Sequence, residues 1–295
     1  LNRGRSSRTA PAEAKLIHAD ISDVEATKAA LGSHTFDAVV QWVAFVPSQV
    51  QRDLDLFAGR MGQYVFISSA SAYQKPVAHL PITESTVLDN PVWEYSRNKI
   101  ACEELLVRAY RESKTPITII RPSHTYDKTL LPFDHGFTVF KRMLEGKPVV
   151  VHGDGTSLWT LTHHSDFAKG FVPLLGHSGA IGDAFHITSD QWLPWNQIYD
   201  IVADRAGVRA NKVHVPSAVI ARHHRGWGDS LLGDKAHSAI FDNSKVKRLA
   251  PDFVCTTPFD RGAEEVVQYY LQDMSCGTVE PDKDALQDLL TAQFG

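Results

Sequence analysis

The chain has 295 residues, a formal net charge of -4 and 43% hydrophobic residues. This length and composition allow a substantial core, organised as one large domain or as one domain with a lobe. The slightly acidic charge argues against a nucleic-acid or membrane-surface partner, because no basic stripe stands out along the sequence. No run of about 18 apolar residues occurs, so we predict no membrane-spanning helix.

The cysteines and the opening segment indicate the cellular context. Cys102, Cys255 and Cys276 have no spacing typical of a metal site, which predicts reduced thiols in a cytoplasmic protein. The opening LNRGRSSRTAP lacks the apolar central region of a signal peptide. It is typical of a strand end followed by a polar loop, so we expect a segment upstream of Leu1 to be absent from this chain.

Short apolar strands alternate with helical patterns in the first part of the chain. The predicted strands are Ala14–Ile21, Phe36–Ala44, Gln63–Ala70 and Pro116–Pro122. Asp23 is expected to cap the first helix; a second helix covers Ser48–Met61, and a third contains Tyr95. The apolar runs are continuous rather than alternating, as in parallel strands buried on both faces. This pattern predicts an α/β fold with a doubly wound, Rossmann-like parallel sheet.

Beyond Pro122 the pattern loosens, which predicts a smaller C-terminal α+β lobe. Its predicted elements are helices at Phe137–Gly146 and Trp195–Val208 and strands at Pro148–Gly153, Ala184–Thr188 and Lys212–Pro216. Asp166 is expected to cap a further helix. We therefore expect a dinucleotide-binding domain over residues 1–125. Residues 126–295 would mostly form a substrate-binding lobe, with some elements returning to the sheet.

Tyr95 and Lys99 lie four residues apart in the third helix, so they share one helix face. A Lys ammonium near a Tyr hydroxyl favours the phenolate and lowers the Tyr pKa. A Tyr tuned in this way can exchange a proton with an alcohol or a carbonyl near neutral pH. The alternative is an amphipathic helix surface with an extended Lys side chain.

The strand in QYVFISSASAY ends in serines, at the sheet edge where ligands of such folds bind. A Ser hydroxyl there could hydrogen-bond the same substrate oxygen as Tyr95. The alternative for Ser69 taken alone is a loop hydroxyl that caps a backbone group.

The motifs FISSASAY, EYSRNK and ITIIRPSHTYD, in this order, resemble the extended short-chain dehydrogenase/reductase superfamily. Within it, the chain is most similar to the NAD-dependent epimerase/dehydratase family. The resemblance implies an NAD(P)-dependent oxidoreductase that acts on an alcohol or carbonyl of a small molecule. It implies Ser69, four residues before Tyr73, as the active serine, with Tyr95 and Lys99 as the catalytic pair. The alternative is a non-catalytic relative that senses dinucleotide or binds RNA.

The same resemblance implies a bound dinucleotide. The family's Gly-rich phosphate loop has no counterpart here, so we expect the chain to lack the first strand, that loop and the first helix. Arg3 follows the position of the second strand and suits a 2′-phosphate, which favours NADP, with NAD as the alternative. The remaining positions implied to contact the cofactor are Asp20, Ile21, Val43, Ala44, Tyr95, Lys99, Pro122, Ser123 and His124.

The chain also departs from the family pattern. His124 stands where nucleotide-sugar enzymes usually carry Asn, and SLWTLTHHSDFA lacks their common Arg, which favours a smaller or more apolar substrate. Ala70 and Ser71 replace the acidic pair of dehydratases, which disfavours dehydration. The residues expected to contact substrate are Ser69, Tyr73, Trp93, His124 and Trp159.

Two histidine pairs remain. His163 and His164 are expected to point to opposite faces of a strand, and His223–His224 lies in a polar helical segment, so we predict no metal site. A homodimer is a possible assembly.

Overall fold

A computed structural model describes residues 1–4 and 10–295. The helices are α1 Val24–Leu31, α2 Pro47–Phe57, α3 Glu94–Ser113, α4 Gly136–Leu144, α5 His164–Phe171, α6 Trp195–Arg205, α7 Ser217–His223, α8 Arg225–Ser230, α9 Ser244–Leu249, α10 Phe259–Gln272 and α11 Pro281–Phe294. The strands are β1 Val39–Gln41, β2 Tyr64–Ile67, β3 Ile117–Pro122, β4 His124–Tyr126, β5 Pro148–His152, β6 Leu158–Trp159, β7 Leu161–His163, β8 Asp183–Ile187, β9 Leu193–Pro194 and β10 Asn211–Val215. A short 3₁₀ turn covers Ala70–Ala72 and a π-helical turn covers Leu231–Lys235.

The main sheet is parallel and has the strand order β1-β2-β3-β8. Every residue of β2 is buried, and its side chains alternate between two cores. Tyr64 and Phe66 pack with residues of α2 and α3, whereas Val65 and Ile67 pack with residues of α5 and α9. Helices on both faces of a parallel sheet confirm the predicted doubly wound α/β fold.

The first predicted strand, Ala14–Ile21, is wrong. The structure has a single parallel bridge between Asn2 and His18. Its backbone hydrogen bonds run from Asn2 N to Ile17 O and from Ala19 N to Asn2 O, each 3.0 Å. Among the described residues this segment pairs with Asn2 alone, so it forms no continuous strand. The predicted polar loop falls largely on residues 5–9, which lie outside the described residues.

The second predicted strand, Phe36–Ala44, is shorter than expected. Phe36 forms an isolated bridge with Met61, and regular pairing covers only Val39–Gln41. Beyond Gln41 the chain leaves the sheet, and Trp42 and Val43 are exposed. The apolar sequence pattern of Phe36–Ala44 therefore extends beyond the residues that form the strand.

The C-terminal part of the chain supplies most of a further apolar core. Parallel pairs join β5 to β10 and β4 to β7, and β6 pairs with β9 in the antiparallel sense. Helices α4, α6 and α10, the first two of them predicted, pack around a large apolar cluster that includes Phe140, Trp195 and Val266. Strand β8, by contrast, extends the main sheet beside β3.

The two predicted helix caps have different outcomes. Asp23 is confirmed, because its carboxylate accepts a hydrogen bond from Ala26 N at 3.0 Å. Asp166 is wrong as a cap, because α5 begins two residues earlier, at His164. Its buried carboxylate instead accepts hydrogen bonds from the backbone N–H groups of Thr256 (3.1 Å) and Thr257 (2.8 Å) and fixes that loop against α5. None of the helices in residues 1–4 and 10–295 combines the length and apolar character needed to cross a bilayer.

Candidate active site

A cavity of about 350 Å³ opens at the carboxyl ends of β2 and β3. Seven residues predicted from the sequence line it: Ser69, Trp93, Tyr95, Pro122, Ser123, His124 and Trp159. Ser69 lies just beyond β2, Tyr95 lies in the first turn of α3, and Pro122 ends β3. The parallel sheet thus brings together residues that are distant in sequence, at the edge where such sheets bind ligands.

Ser69 and Tyr95 belong to one row of hydroxyl groups. The Ser69 hydroxyl lies close enough to the Tyr95 phenol to act on its pKa. Ser69 Oγ lies 2.9 Å from Ser71 Oγ, and Ser96 Oγ donates to Ser71 Oγ at 2.8 Å. Ser69 Oγ also accepts from Ser71 N at 3.1 Å, so it caps the 3₁₀ turn as well as facing the cavity.

The pKa of Tyr95 is raised, opposite to the expected direction. Burial of the phenol is the main cause; the Ser69 hydroxyl acts in the other direction, and the negative charge of Asp234 adds to the increase. Lys99, which was expected to lower this pKa, is not among the groups that shift it. In this structure Tyr95 is therefore a neutral phenol at physiological pH, suited to giving a proton.

Lys99 is buried and joins the end of β2 to the segment that follows β1. Its Nζ donates to the carbonyl oxygens of Ala44 and Ile67, each at 2.8 Å. The cation lies 4.8 Å from the Phe66 ring centroid and 4.9 Å from that of Phe45, whereas the Tyr95 ring centroid is 5.8 Å away. Burial lowers the pKa of Lys99 to about 8.

The residues predicted to hold the adenosine side of a dinucleotide lie near the start of the described chain. Arg3 Nη1 is 3.8 Å from Asp20 Oδ2, and both side chains are largely exposed. Asp20 Oδ1 also accepts from Ser22 N at 3.0 Å. Ile21 packs against the small core beside α1, and Val43 and Ala44 follow β1, with Val43 exposed and Ala44 buried.

Tyr73 lies in the core, away from the cavity lining. Its hydroxyl is 3.1 Å from His186 Nδ1 and accepts from Arg121 Nη1 at 3.2 Å. Arg121 in turn forms a buried ion pair with Glu103, 2.6 Å between Arg121 Nη2 and Glu103 Oε2. The predicted substrate contact of Tyr73 therefore finds no support in this geometry, because the ring and hydroxyl are enclosed by the fold.

Sequence reasoning missed one wall of the cavity, which the π turn supplies with Asp234 and Lys235. Asp234 Oδ1 lies 3.2 Å from Lys75 Nζ, and Lys235 Nζ lies 3.2 Å from Asp134 Oδ1 and 5.7 Å from the Trp93 ring centroid. Each charge on this wall thus has an opposite charge beside it. The other lining residues that the sequence did not indicate are Ala70, Ser71, Thr160, Ala239 and Phe241.

His124 and Trp159 form a pair within the lining. Trp159 Nε1 donates to His124 Nδ1 at 3.2 Å, and the two rings are nearly perpendicular, at 82°. Burial, followed by the nearby Lys235 cation, lowers the pKa of His124 to about 4. The imidazole is therefore neutral at physiological pH.

One of the two histidine pairs is arranged differently from the prediction. His163 and His164 were expected to point apart, yet their ring centroids are 4.4 Å apart, because β7 ends at His163 and α5 begins at His164. His223 ends α7, and His224 caps α8. Across the described ranges, no group of three or more His, Cys, Asp or Glu side chains is arranged to hold a metal ion.

Comparison with known proteins agrees with this architecture. The profile of the NAD dependent epimerase/dehydratase family matches residues 1–188. This chain belongs to that family. The predicted family, the Rossmann-like fold and the assignment as an enzyme linked to a nicotinamide dinucleotide are thereby confirmed.

Individual relatives differ in activity. A 2′-dehydrokanamycin reductase of Streptomyces kanamyceticus is 25% identical over 256 residues, which cover 85% of this chain and 71% of that protein. The chloroplast stem-loop binding protein of 41 kDa b of Arabidopsis thaliana is 26% identical over 65% of this chain, which spans about half (49%) of that protein. A UDP-glucuronic acid 4-epimerase from Bacillus cereus, solved with UDP-glucuronic acid and NAD, has a TM-score of 0.64 at 22% identity, over 77% of this chain and 67% of that chain.

Proposed function

We propose that this enzyme interconverts a carbonyl and the corresponding alcohol on a small uncharged molecule, with Tyr95 as general acid and base. The observation that carries this proposal is that the Ser69 and Tyr95 hydroxyls lie close together in the wall of one cavity. The similarity to a protein named as a reductase favours the reductive direction. The division into a domain over residues 1–125 and a lobe over residues 126–295 remains part of this proposal.

In the reductive direction, Tyr95 gives its phenolic proton to the carbonyl oxygen as the carbon–oxygen double bond becomes a single bond. Because burial keeps the phenol neutral, the proton is in place before reaction. Ser69 donates a hydrogen bond to the same oxygen and holds it against Tyr95. A nicotinamide dinucleotide supplies or accepts the hydride when it is bound.

The side chains near the strand ends suit such a cofactor in their chemistry. Lys99 places a cation between the end of β2 and the segment that follows β1, and Ser123 and His124 follow β3 directly. Arg3 and Asp20 offer a guanidinium for a 2′-phosphate and a carboxylate for the adenine side. We therefore propose NADP as the preferred cofactor, held by Arg3, Asp20, Val43, Lys99 and Ser123.

The character of the cavity supports a substrate without a diphosphate. The two cations near its wall are already paired, Lys75 with Asp234 and Lys235 with Asp134. An added phosphate would have to displace these carboxylates, which costs more than binding an uncharged group. The rings of Trp93, Trp159 and Phe241 instead offer apolar faces. These features favour a cyclic or otherwise compact carbonyl compound.

A substrate panel tests the proposed function. Purified protein would be mixed with NADPH or NADH and a set of uncharged ketones, keto-glycosides and nucleotide-sugar ketones, and cofactor oxidation would be followed by absorbance. We expect turnover of uncharged ketones with NADPH and little with the nucleotide sugars. Turnover confined to nucleotide sugars would overturn the substrate assignment. Cofactor binding without turnover of any compound would favour a non-catalytic relative.

A further inference from the structure

The hydrogen bond between Trp159 and His124 fixes where the proton lies on the His124 ring. The indole N–H of tryptophan is only a donor, so His124 Nδ1, 3.2 Å away, must be the acceptor and carries no proton. A neutral imidazole has one N–H, and here it must be on Nε2. The tautomer therefore follows from the chemistry of the two side chains.

Two groups from different elements, Trp159 and Lys235, keep this ring neutral. Protonation of Nδ1 would set its N–H against the N–H of Trp159. Lys235 Nζ, on the π turn, adds a positive charge nearby, and only Asp134, which is itself paired with Lys235, acts in the opposite direction. His124 is thus held as a hydrogen-bond donor through Nε2 rather than as a cation.

The Nε2–H group is left available to a ligand. Within residues 1–4 and 10–295, the hydrogen bond from Trp159 is the only one that the His124 ring makes. The buried side-chain atoms there without a partner are Thr125 Oγ1, Tyr126 OH, His135 Nε2 and Trp195 Nε1, so His124 Nε2 is not sealed inside the protein. Since His124 lines the cavity, a bound molecule can reach this donor.

We infer that His124 is a substrate-binding residue whose Nε2–H donates a hydrogen bond to a second oxygen of the substrate, and that Trp159 is the residue that positions it. This inference rests on the proposed function, in which Tyr95 and Ser69 take the reacting oxygen. The substrate class is then an uncharged ring ketone or ring alcohol that carries a further ether or hydroxyl oxygen. A hydrocarbon ketone of equal size lacks the acceptor and leaves the Nε2–H group unpaired.

Nuclear magnetic resonance of the full chain with isotopically labelled histidine tests both the tautomer of His124 and the positioning role of Trp159. At neutral pH we expect His124 as the Nε2–H tautomer. Trp159→Phe keeps an aromatic wall but removes the indole N–H, so it should give a mixture of tautomers. Trp93→Phe, the same change elsewhere in the cavity, is the matched control and should leave the His124 signals unchanged. A protonated ring or the Nδ1–H tautomer in the wild-type protein would overturn the inference.

A pair of ring ketones then tests the second oxygen. Tetrahydropyran-4-one and cyclohexanone differ only by a ring oxygen in place of a methylene, and each would be titrated into the labelled protein in the presence of NADP. We expect the pyranone to move the Nε2–H signal and to bind about 2–10-fold more tightly than cyclohexanone, the range of one neutral hydrogen bond. In His124→Phe, with binding followed on the tryptophan signals, this preference should vanish.

Equal binding of the two ketones to the wild-type protein, or an unchanged preference in His124→Phe, would refute the second-oxygen contact. These readouts measure binding at equilibrium. A failure of the proposed catalysis, seen as absence of turnover, is therefore distinguishable from a failure of this inference.

Discussion

The Tyr95 hydroxyl is the group on which the proposed proton transfer depends. Tyr95→Phe keeps the ring, whose centroid lies 4.9 Å from that of Trp93, and removes only the hydroxyl beside Ser69. We expect the turnover rate to fall by about 10²–10⁴-fold, the usual contribution of a general acid. Steady-state kinetics on the ketone found in the panel measure this change.

Tyr110→Phe is a matched control, because Tyr110 lies on the same helix but outside the cavity lining. It should retain wild-type activity. A fully active Tyr95→Phe enzyme would remove Tyr95 from the proposed mechanism.

Lys99 has a structural role that the sequence pattern did not indicate. Lys99→Met would leave the carbonyl oxygens of Ala44 and Ile67 without their donor at a buried position. Because each unsatisfied buried acceptor costs about 1–3 kcal/mol, we expect a loss of at least that amount in the free energy of unfolding. Urea unfolding followed by circular dichroism measures it.

Lys141→Met, which removes a partly exposed helix ion pair with Glu145, should change stability by no more than about 0.5 kcal/mol. Equal stability of Lys99→Met and the wild-type protein would show that the buried hydrogen bonds contribute little.

At the scale of elements, the π turn Leu231–Lys235 closes against the start of α3 through Gly233. A Cβ atom on Gly233 would come within 2.6 Å of Trp93 Cβ and 3.2 Å of Asn90 Oδ1. The Gly233 carbonyl also accepts from Asn90 Nδ2 at 2.7 Å, which ties the two segments together. Glycine is therefore required for this close approach.

We predict that Gly233→Ala costs about 1–3 kcal/mol of stability, typical of overpacking. It should also weaken substrate binding, since the turn carries Asp234 and Lys235 into the cavity wall. Gly226→Ala in α8 is the control. Its new methyl group would meet nothing closer than 3.6 Å, and alanine favours a helix by about 1 kcal/mol over glycine. Thermal melts measure the stability of both variants and KM values measure substrate binding. Equal melting temperatures and KM values for Gly233→Ala and Gly226→Ala would contradict the prediction.

The elements also explain what could be predicted from the sequence. Strand β2 is a continuous apolar run and β3 a largely apolar one, with serines or Pro-Ser-His at their ends, so their place in a parallel sheet and the position of Ser69 and His124 were predictable. Residues 14–21 have a similar apolar pattern, but among the described residues they pair only with Asn2, because a strand needs partners that its own sequence does not specify. Asp234 and Lys235 could not be predicted, since an irregular turn far along the chain brings them to the cavity.

The role of Lys99 could also be predicted only in part from the sequence. Its spacing from Tyr95 was visible in the sequence, but its contacts with the carbonyl groups of Ala44 and Ile67 depend on how β1 and β2 lie beside α3. Local spacing predicts which side chains share a helix face. The pKa of each group depends instead on burial and on neighbours from other elements, which is why the direction predicted for Tyr95 was wrong.

For the molecule as a whole, the lowered pKa values of three histidines predict how the free energy of unfolding depends on pH. Burial lowers the pKa of His124, His135 and His152 to about 4 in each case. In the unfolded chain a histidine has a pKa of about 6.5, so between these values the unfolded state binds more protons than the folded state. Stability therefore rises with pH in this window and is lost as pH falls from about 6.5 towards 4.

His135→Phe tests this directly, because the ring packs against Trp227, at 4.1 Å between centroids, and its Nε2 has no hydrogen-bond partner within the described chain. Phenylalanine keeps an aromatic ring there but cannot take up a proton. We expect urea unfolding to show a decline in the free energy of unfolding between pH 6.5 and 4.5 that is shallower in His135→Phe, by up to roughly 1.4 kcal/mol per pH unit for the one proton removed. Comparing both proteins at pH 7.5, above the window, separates the effect of packing from that of protonation. Parallel stability curves for the two proteins across the whole range would show that His135 takes up its proton equally in the folded and unfolded states.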